Sequence, residues 1–274
     1  MSKALEDLIA KRFIARKDVK AIQFNNGSWS PHRERDHDGR LTGPFIPWSR
    51  DALALHLSGK QTFGHYLLDT DDKVKLFAFD IDLEKNDPTT GFVGHWVDND
   101  GEIHEFDARE AWHDRRHPSR DWTKYQLKVV AHRLMAAITE TLELPCAAAY
   151  SGGKGVHVYA FTGLISAADA REGAAIVLDA VGGWAPHRGD NFFQSIDRDP
   201  ISGFPNLSIE VFPKQSTLKD KDLGNLMRLP LGRNLKSSDP TFFIDMTSPL
   251  GVMAPLDPEY ALTTPSPWKK PNEW

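Results

Sequence analysis

Residues 76–84 read Leu76-Phe-Ala-Phe79-Asp80-Ile81-Asp82-Leu83-Glu84, an apolar run that turns into alternation with carboxylates from residue 80 onward. On a strand, residues i and i+2 share one face. Asp80 and Asp82 therefore project together, while Phe79, Ile81 and Leu83 enter a core on the other side. Two carboxylates side by side on such a strand repel each other, and holding them there is costly unless a cation sits between them. Hard oxygen ligands of this kind suit Mg²⁺ or Mn²⁺. The alternative is a strand end whose acids simply face water.

Outward from this strand, helical and strand-like patterns alternate. Residues 2–16 place Leu5, Leu8, Ile9 and Phe13 on one helical face. VKAIQF (19–24) reads as a strand and the arginine-bearing SPHRERDHDGRLTG (30–43) as a loop. Ser49 caps a short helix, DALALHL, which Gly59 stops. TFGHYLL (62–68), the turn DTDD and VKLFAFDID (74–82) predict a hairpin of two strands. FVGHWVDNDGEIHEF (92–106) predicts another, turning at Asp100-Gly101. From Asp121 to Leu142 apolar residues keep helical spacing, and Pro145 closes the segment. AAAY (147–150) and VHVYAF (156–161) flank a glycine-rich turn, and a helix capped by Ser166 runs to Gly182-Gly183. LSIEVF (207–212) and NLMRLPL (225–231) are short strands around a charged turn, and TTPSPWKKPNEW, from Thr263, is a Pro-rich tail or linker. Helices mixed with hairpins predict an α+β fold rather than a doubly wound sheet.

The 274 residues carry 33 Lys+Arg against 38 Asp+Glu, a net charge of −5. That balance does not advertise nucleic-acid binding, yet it leaves room for local basic patches. With 20 Gly and 18 Pro, disorder and low complexity are excluded as global descriptions. The only cysteine, Cys146, excludes an internal disulfide and a cysteine zinc site, and its apolar surroundings mark a small core residue. No apolar run approaches the roughly 20 residues of a membrane span. The N-terminal MSKALEDLIAKRF is too acidic for a signal peptide. These features predict a cytoplasmic protein without membrane association.

A second constellation is Ser151-Gly152-Gly153-Lys154-Gly155-Val156-His157-Val158-Tyr159. Its glycines allow a tight strand-to-strand turn whose N–H groups can approach an anion, and Lys154 adds a point charge for phosphate. His157 lies on the face opposite Val156 and Val158. A strand follows Gly155, so this is no Walker A loop; the alternative is an ordinary glycine-rich hairpin. The third is Ser208-Ile209-Glu210-Val211-Phe212-Pro213-Lys214-Gln215, followed by Gly224-Asn225-Leu226-Met227-Arg228. Glu210, flanked by apolar residues, is expensive there unless paired or metal-bound. A salt bridge to Arg228 or exposure at a sheet edge would also satisfy it. His95, His104, His113 and His117 crowd the stretch after the first motif, with Trp96 and Trp112, and read as an exposed elaboration rather than a metal site. Arg109, Arg115, Arg116, Arg120, Lys124 and Lys128, and separately Arg33, Arg35 and Arg40, either track a template backbone or form solvated faces. Trp29 and Trp48 either stack on bases or cover the core.

In order, a DxD strand, S-G-G-K-G-x-H, an acid on a strand and N-x-x-R, the chain resembles the archaeo-eukaryotic primase superfamily of primase-polymerases. The glycine-rich loop is similar to that of the polymerase domain of bacterial ligase D. HYLLDTDDKVKLFAFDID, YSGGKGVHVY, EVFPKQ and GNLMRLPLG look most like the primase domains of CRISPR-associated and conflict-system primase-polymerases. The resemblance covers roughly residues 1–235 and weakens in an insertion at about 86–120 and after 236. A cysteine cluster that many relatives carry near the N-terminus is replaced here by SPHRERDHDGR, which argues against zinc there.

The resemblance implies a primase-polymerase catalytic core in residues 1–250, an N-terminal α/β module packed on an RRM-like mixed sheet, with 251–274 as tail or linker. It implies that Asp80, Asp82 and Glu210 are the catalytic, metal-binding acids, holding two Mg²⁺ or Mn²⁺ ions. Ser151, Gly153, Lys154, Gly155 and His157 would hold the triphosphate, and Asn225 and Arg228 would also touch the nucleotide. Lys214 and Gln215 would contact phosphate or template. The implied activity is template-directed addition of nucleotides to a 3′-hydroxyl, with or without de novo priming. Its partners would be single-stranded or primed DNA, nucleoside triphosphates, and a helicase or CRISPR or mobile-element machinery. The rival expectation is a non-catalytic nucleic-acid-binding or replication-initiator module that keeps the fold.

Overall fold

Lys73–Leu83 is the central strand of a seven-stranded sheet in this computed structural model, which describes residues 2–86, 93–219 and 222–265. Gly155–Ser166 pairs with it on one side and Leu207–Phe212 on the other. Cys146–Tyr150 and Phe242–Phe243 extend the sheet beyond the first neighbour, Phe192–Ser195 and Trp184–Pro186 beyond the second. The α+β class holds, but the sheet is antiparallel throughout rather than mixed. Cys146–Tyr150 runs in the same direction as Lys73–Leu83, but Gly155–Ser166 lies between them and pairs antiparallel with both.

The alternation read from the sequence sets the two faces. Phe77, Phe79, Ile81 and Leu83 are all buried, and helices Ser119–Leu142 and Ala167–Val181 pack over the sheet. Gly173 of the second helix lies against the Phe77 ring, where an added Cβ would stand 3.2 Å from a ring carbon. Ser166 caps this helix, its hydroxyl accepting from Asp169 N–H at 3.0 Å. Lys128 of the first helix is fully buried. Its ammonium donates to the carbonyls of Asp245, Ser248, Pro249 and Val252 and to the Ser248 hydroxyl at 2.8–3.3 Å. That residue clasps a loop and cannot track a template; the expectation placing it in a basic face is corrected.

A second sheet has the order Leu226–Arg228, Phe63–Tyr66, Ala21–Gln23, Trp29–Pro31. Phe63–Tyr66 and Lys73–Leu83 therefore do not form the predicted hairpin: both edges of each are taken by other strands. Asp69 turns the chain between the sheets by accepting from the N–H groups of Asp71 and Lys73 at 2.9 and 2.8 Å. Helix Lys3–Phe13, capped by Ser2, joins the layers. Its Phe13 ring packs edge-on against Tyr159 and Phe161 of the large sheet and His65 of the small one, at 5.0, 5.4 and 5.8 Å.

The predicted loop at 30–43 is instead a ribbon, Arg33–Arg35 with Leu41–Phe45. Asp36 organises its turn, accepting from the N–H groups of Asp38 and Arg40 and from the Thr42 hydroxyl at 2.8–3.0 Å. The second predicted hairpin is present as Gly94–Val97 and Ile103–Phe106, with Gly101 at φ +85°; its first residue, Phe92, lies outside the described residues. At the far end, helix Pro258–Thr263 buries Ala261 and Leu262, and Arg12 donates to the Leu262 carbonyl at 3.0 and 3.2 Å. The start of the predicted tail is thus packed, and its residues 266–274 lie outside the described ones. Among the described residues no helix is long and apolar enough to cross a membrane.

Candidate active site

Strand register puts three motif residues in one row. Glu210 stands opposite Asp80, and Asp80 stands opposite His157. The next row is Ser208, Asp82 and Gly155. Directly opposed residues share a face, so these side chains point away from the two long helices. Gly155 is required here, because a Cβ would overlap the Ile81 carbonyl oxygen as well as lie 2.7 Å from Asp82 Oδ1.

Charge in the row is compensated unevenly. Lys154 forms an ion pair with Asp82, and Lys214 pairs with Glu210 at 2.5 Å. Asp80 has the half-buried middle place, and burial, together with the neighbouring carboxylates of Asp82 and Glu210, pushes its carboxyl up to about 8 against the pull of Lys154 and Arg228. His157 Nε2 stands 3.4 Å from Asp80 Oδ1, and Nδ1 is 2.9 Å from the Tyr159 hydroxyl. Burial keeps the imidazole neutral, with its pKa lowered to about 3. A neutral ring has one donor and one acceptor. Nε2–H toward Asp80 and Nδ1 accepting from Tyr159 satisfies both neighbours. Tyr159 is fully buried, and burial followed by the charge of Asp80 raises its phenol.

The glycine-rich turn is tied down by its carbonyls. Arg228 donates to Ser151 O, Asn234 (2.9 Å) and Ser237 to Gly152 O, and Trp112 Nε1 (2.6 Å) and the Tyr150 hydroxyl (2.8 Å) to Gly153 O. In a planar trans peptide each N–H points opposite to the preceding carbonyl. Fixing three successive carbonyls therefore also fixes the amides of Gly152, Gly153 and Lys154. Gly152 adopts φ +71°, and a Cβ there would meet Thr241 and Asn234 at 2.8 and 2.9 Å. Asp80, Asp82, Lys154, His157 and Arg228 line one cavity of about 800 Å³, within the range of small-molecule sites. Arg228 reaches it from the small sheet, its guanidinium 5.7 Å from the Trp29 ring centre.

A family model described as the TOTE conflict system, Archaeo-Eukaryotic Primase domain, matches residues 7–250. The chain belongs to this family. No curated protein matches it significantly. An archaeo-eukaryotic primase domain belongs to a primase-like nucleotidyltransferase superfamily, whose members in general bind nucleic acid and nucleoside triphosphates and use divalent metals.

Within this primase domain the structure gathers Asp80, Asp82, Ser151, Gly153, Lys154, His157 and Arg228 around the cavity. Glu210 joins Asp80 by register. Arg228 does not pair with Glu210, as it bonds Ser151 instead and lies on the other sheet. Asn225 serves the backbone: its Oδ1 accepts from Lys214 N–H at 2.7 Å. Lys214 is committed to Glu210, and the Gln215 amide donates to Thr217 O at 3.1 Å. Trp48 packs on Phe63 in the core. Of the four insertion histidines, His104 bonds Asp98 and His117 bonds Ser119, each at 2.7 Å, and both rings pack against Trp96. Tyr150, Trp112, Asn234 and Ser237, which anchor the turn, escape a residue-type reading because they act on backbone carbonyls.

Among the described residues no three His, Cys, Asp or Glu side chains form a ready-made metal cage, and lysines pair with two of the acids. The donor set nevertheless suits divalent ions. It offers three hard carboxylates on two adjacent strands, the middle one driven toward its neutral form first by burial and then by the carboxylates beside it.

Proposed function

We propose that this domain, spanning residues 1–250, is a template-directed primase-polymerase that adds nucleotides to a 3′-hydroxyl. The observation that carries the reading is the cross-strand row Glu210–Asp80–His157, with Asp82 beside it, in register next to the anchored turn Ser151–Gly155. Asp80, Asp82 and Glu210 would hold the two Mg²⁺ or Mn²⁺ ions, which when bound activate the attacking oxygen and stabilise the departing pyrophosphate. The remaining tasks fall to the chain's own groups. Lys154 and Arg228 neutralise phosphate charge, His157 donates from Nε2, and the fixed turn amides orient the triphosphate. Single-stranded or primed DNA would supply the template.

A binding module without chemistry draws on one observation, the lysines that already neutralise Asp82 and Glu210. The deciding assay offers unprimed and 3′-primed single-stranded DNA, labelled nucleoside triphosphates and Mn²⁺ or Mg²⁺. Incorporation by the wild type that Asp80→Asn abolishes supports the enzyme. Template binding with no incorporation under any of these conditions moves the assignment to the binding module. Product from the unprimed strand adds de novo initiation.

A further inference from the structure

We propose that Arg109, on the insertion helix Ala108–His113, is a further phosphate-binding residue that grips the same polyphosphate tail as Lys154. The inference rests on the nucleotide-site reading above. Arg109 Nε donates to the Leu83 carbonyl at 3.1 Å, and Lys154 Nζ donates to that same oxygen at 3.0 Å. Two cations sharing one carbonyl stand within about 6 Å of each other, close enough to repel strongly in a half-buried site. Among the described residues Asp82 answers Lys154, and no carboxylate forms an ion pair with Arg109. Both side chains line the cavity that holds Asp80, Asp82 and His157. A polyphosphate carries the negative charge this pair calls for. A planar guanidinium can hold two phosphate oxygens at once beside the point charge of a lysine.

The insertion helix is fastened to the site rather than laid over the surface. Trp112 is buried, and its indole N–H donates to Gly153 O, inside the phosphate turn. Arg120 stacks on the Trp112 ring at 4.5 Å and donates to its carbonyl, which locks the helix from the other side. One turn before Trp112, Arg109 is thereby delivered to the end of the acidic strand. These contacts correct the reading of the insertion as an exposed elaboration for the helix Ala108–His113, whereas strand Ile103–Phe106 and His113 are largely exposed.

The test uses the full chain and inorganic tripolyphosphate as probe, with Ca²⁺ present so that the charge is met without turnover. Binding is followed by tryptophan fluorescence, since Trp29 and Trp112 line the cavity. Arg109→Gln should weaken tripolyphosphate binding at least tenfold, the loss expected for one charge-assisted contact. Arg109→Lys should recover part of it, and Arg116→Gln, on the exposed side of the same segment, should stay within about twofold of wild type. Wild-type affinity in Arg109→Gln overturns the inference and leaves the nucleotide reading standing. A wild type that binds no tripolyphosphate overturns both. Loss of binding together with a lowered melting temperature that Arg109→Lys does not restore makes the residue a structural prop and also overturns the proposal.

Discussion

Replacing Asp80 by Asn isolates the electrostatic cost of the acidic row. Burial and two negative neighbours lift this carboxyl from 3.8 to about 8. The folded protein thus keeps a proton that the unfolded chain releases near pH 4. This contribution leaves stability untouched below the ordinary carboxylate range and removes it progressively as pH rises through about 8. At pH 7 the gap from the ordinary value amounts to about 4 kcal/mol at face value. The side chain is 27% exposed to the cavity, so water screens part of that charge, and about 2 kcal/mol is the working figure. Asp80→Asn keeps the shape and removes the titration, so folding no longer has to take up a proton at pH 7. It should therefore melt about 4 °C above the wild type at pH 7, with the difference vanishing at pH 4. Mn²⁺ should raise the wild-type melting temperature and leave the variant nearly unmoved. Differential scanning fluorimetry at both pH values, with and without Mn²⁺, reads all of this. A variant that melts at or below the wild type at pH 7, with an unchanged Mn²⁺ response, refutes the reasoning.

Three further outcomes are expected. His56 is fully buried, accepting from Phe63 N–H at Nδ1 and donating from Nε2 to Pro230 O, both at 3.0 Å, and burial lowers its pKa to about 4, as it does for His65. Histidines depressed in this way stabilise the fold above pH 6.5 and lose that contribution as pH falls toward 4. In the Asp80→Asn background, which removes the opposing trend, the melting temperature should therefore fall across that window; a flat profile contradicts it. Tyr159→Phe removes the hydroxyl that holds His157 Nδ1, and should raise the nucleotide KM several-fold while costing about 1 kcal/mol of stability or less. An unchanged KM would show that the His157 ring needs no such support. Lys128→Met leaves the Ser248 carbonyl without its donor and takes a charged donor from the carbonyls of Asp245, Pro249 and Val252, which keep backbone or Ser248 hydroxyl partners, and should cost about 1–3 kcal/mol in urea unfolding. A loss below about 1 kcal/mol means that water replaces the ammonium there.

The sequence reveals faces better than partners. Parity along a strand is local, so Asp80 and Asp82 could be set against Phe79 and Ile81 without knowing any neighbour. Helix ends were legible for the same reason: Ser49 and Ser166 each cap the backbone three residues on. Pairing is not local. Phe63–Tyr66 and Lys73–Leu83 look like a hairpin because a short polar turn joins two apolar runs, yet Leu226–Arg228 and Leu207–Phe212 claim edges of these strands from far along the chain. Lys128 looks like part of a basic face because charges lie outward by default. Only the carbonyls at 245–252 show why it is inside. The motif residues became a site through family resemblance. That route has its own blind spot, since Asn225 matches a nucleotide-contact position and here holds the backbone of Lys214.

The two lysines explain how three acids can share one face of a packed sheet. Each outer acid has an ammonium delivered by nearby backbone: Lys154 by the glycine turn, one residue before Gly155 opposite Asp82, and Lys214 four residues after Glu210. The middle acid faces a neutral imidazole, itself held by a buried phenol, and feels Lys154 and Arg228 only through space. Cationic charge is thus concentrated at the two ends of the acidic set, and the protonatable group sits at its centre. On the proposed function, a phosphate chain laid against Lys154 and Arg228 would compete with Asp82 for the same ammonium. Phosphate binding and the release of a carboxylate oxygen would then be two sides of one exchange, and the proposed chemistry of the row would be coupled to occupancy of the turn. Anchoring Ser151, Gly152 and Gly153 by their carbonyls, from as far away as the insertion and the small sheet, keeps that coupling in register.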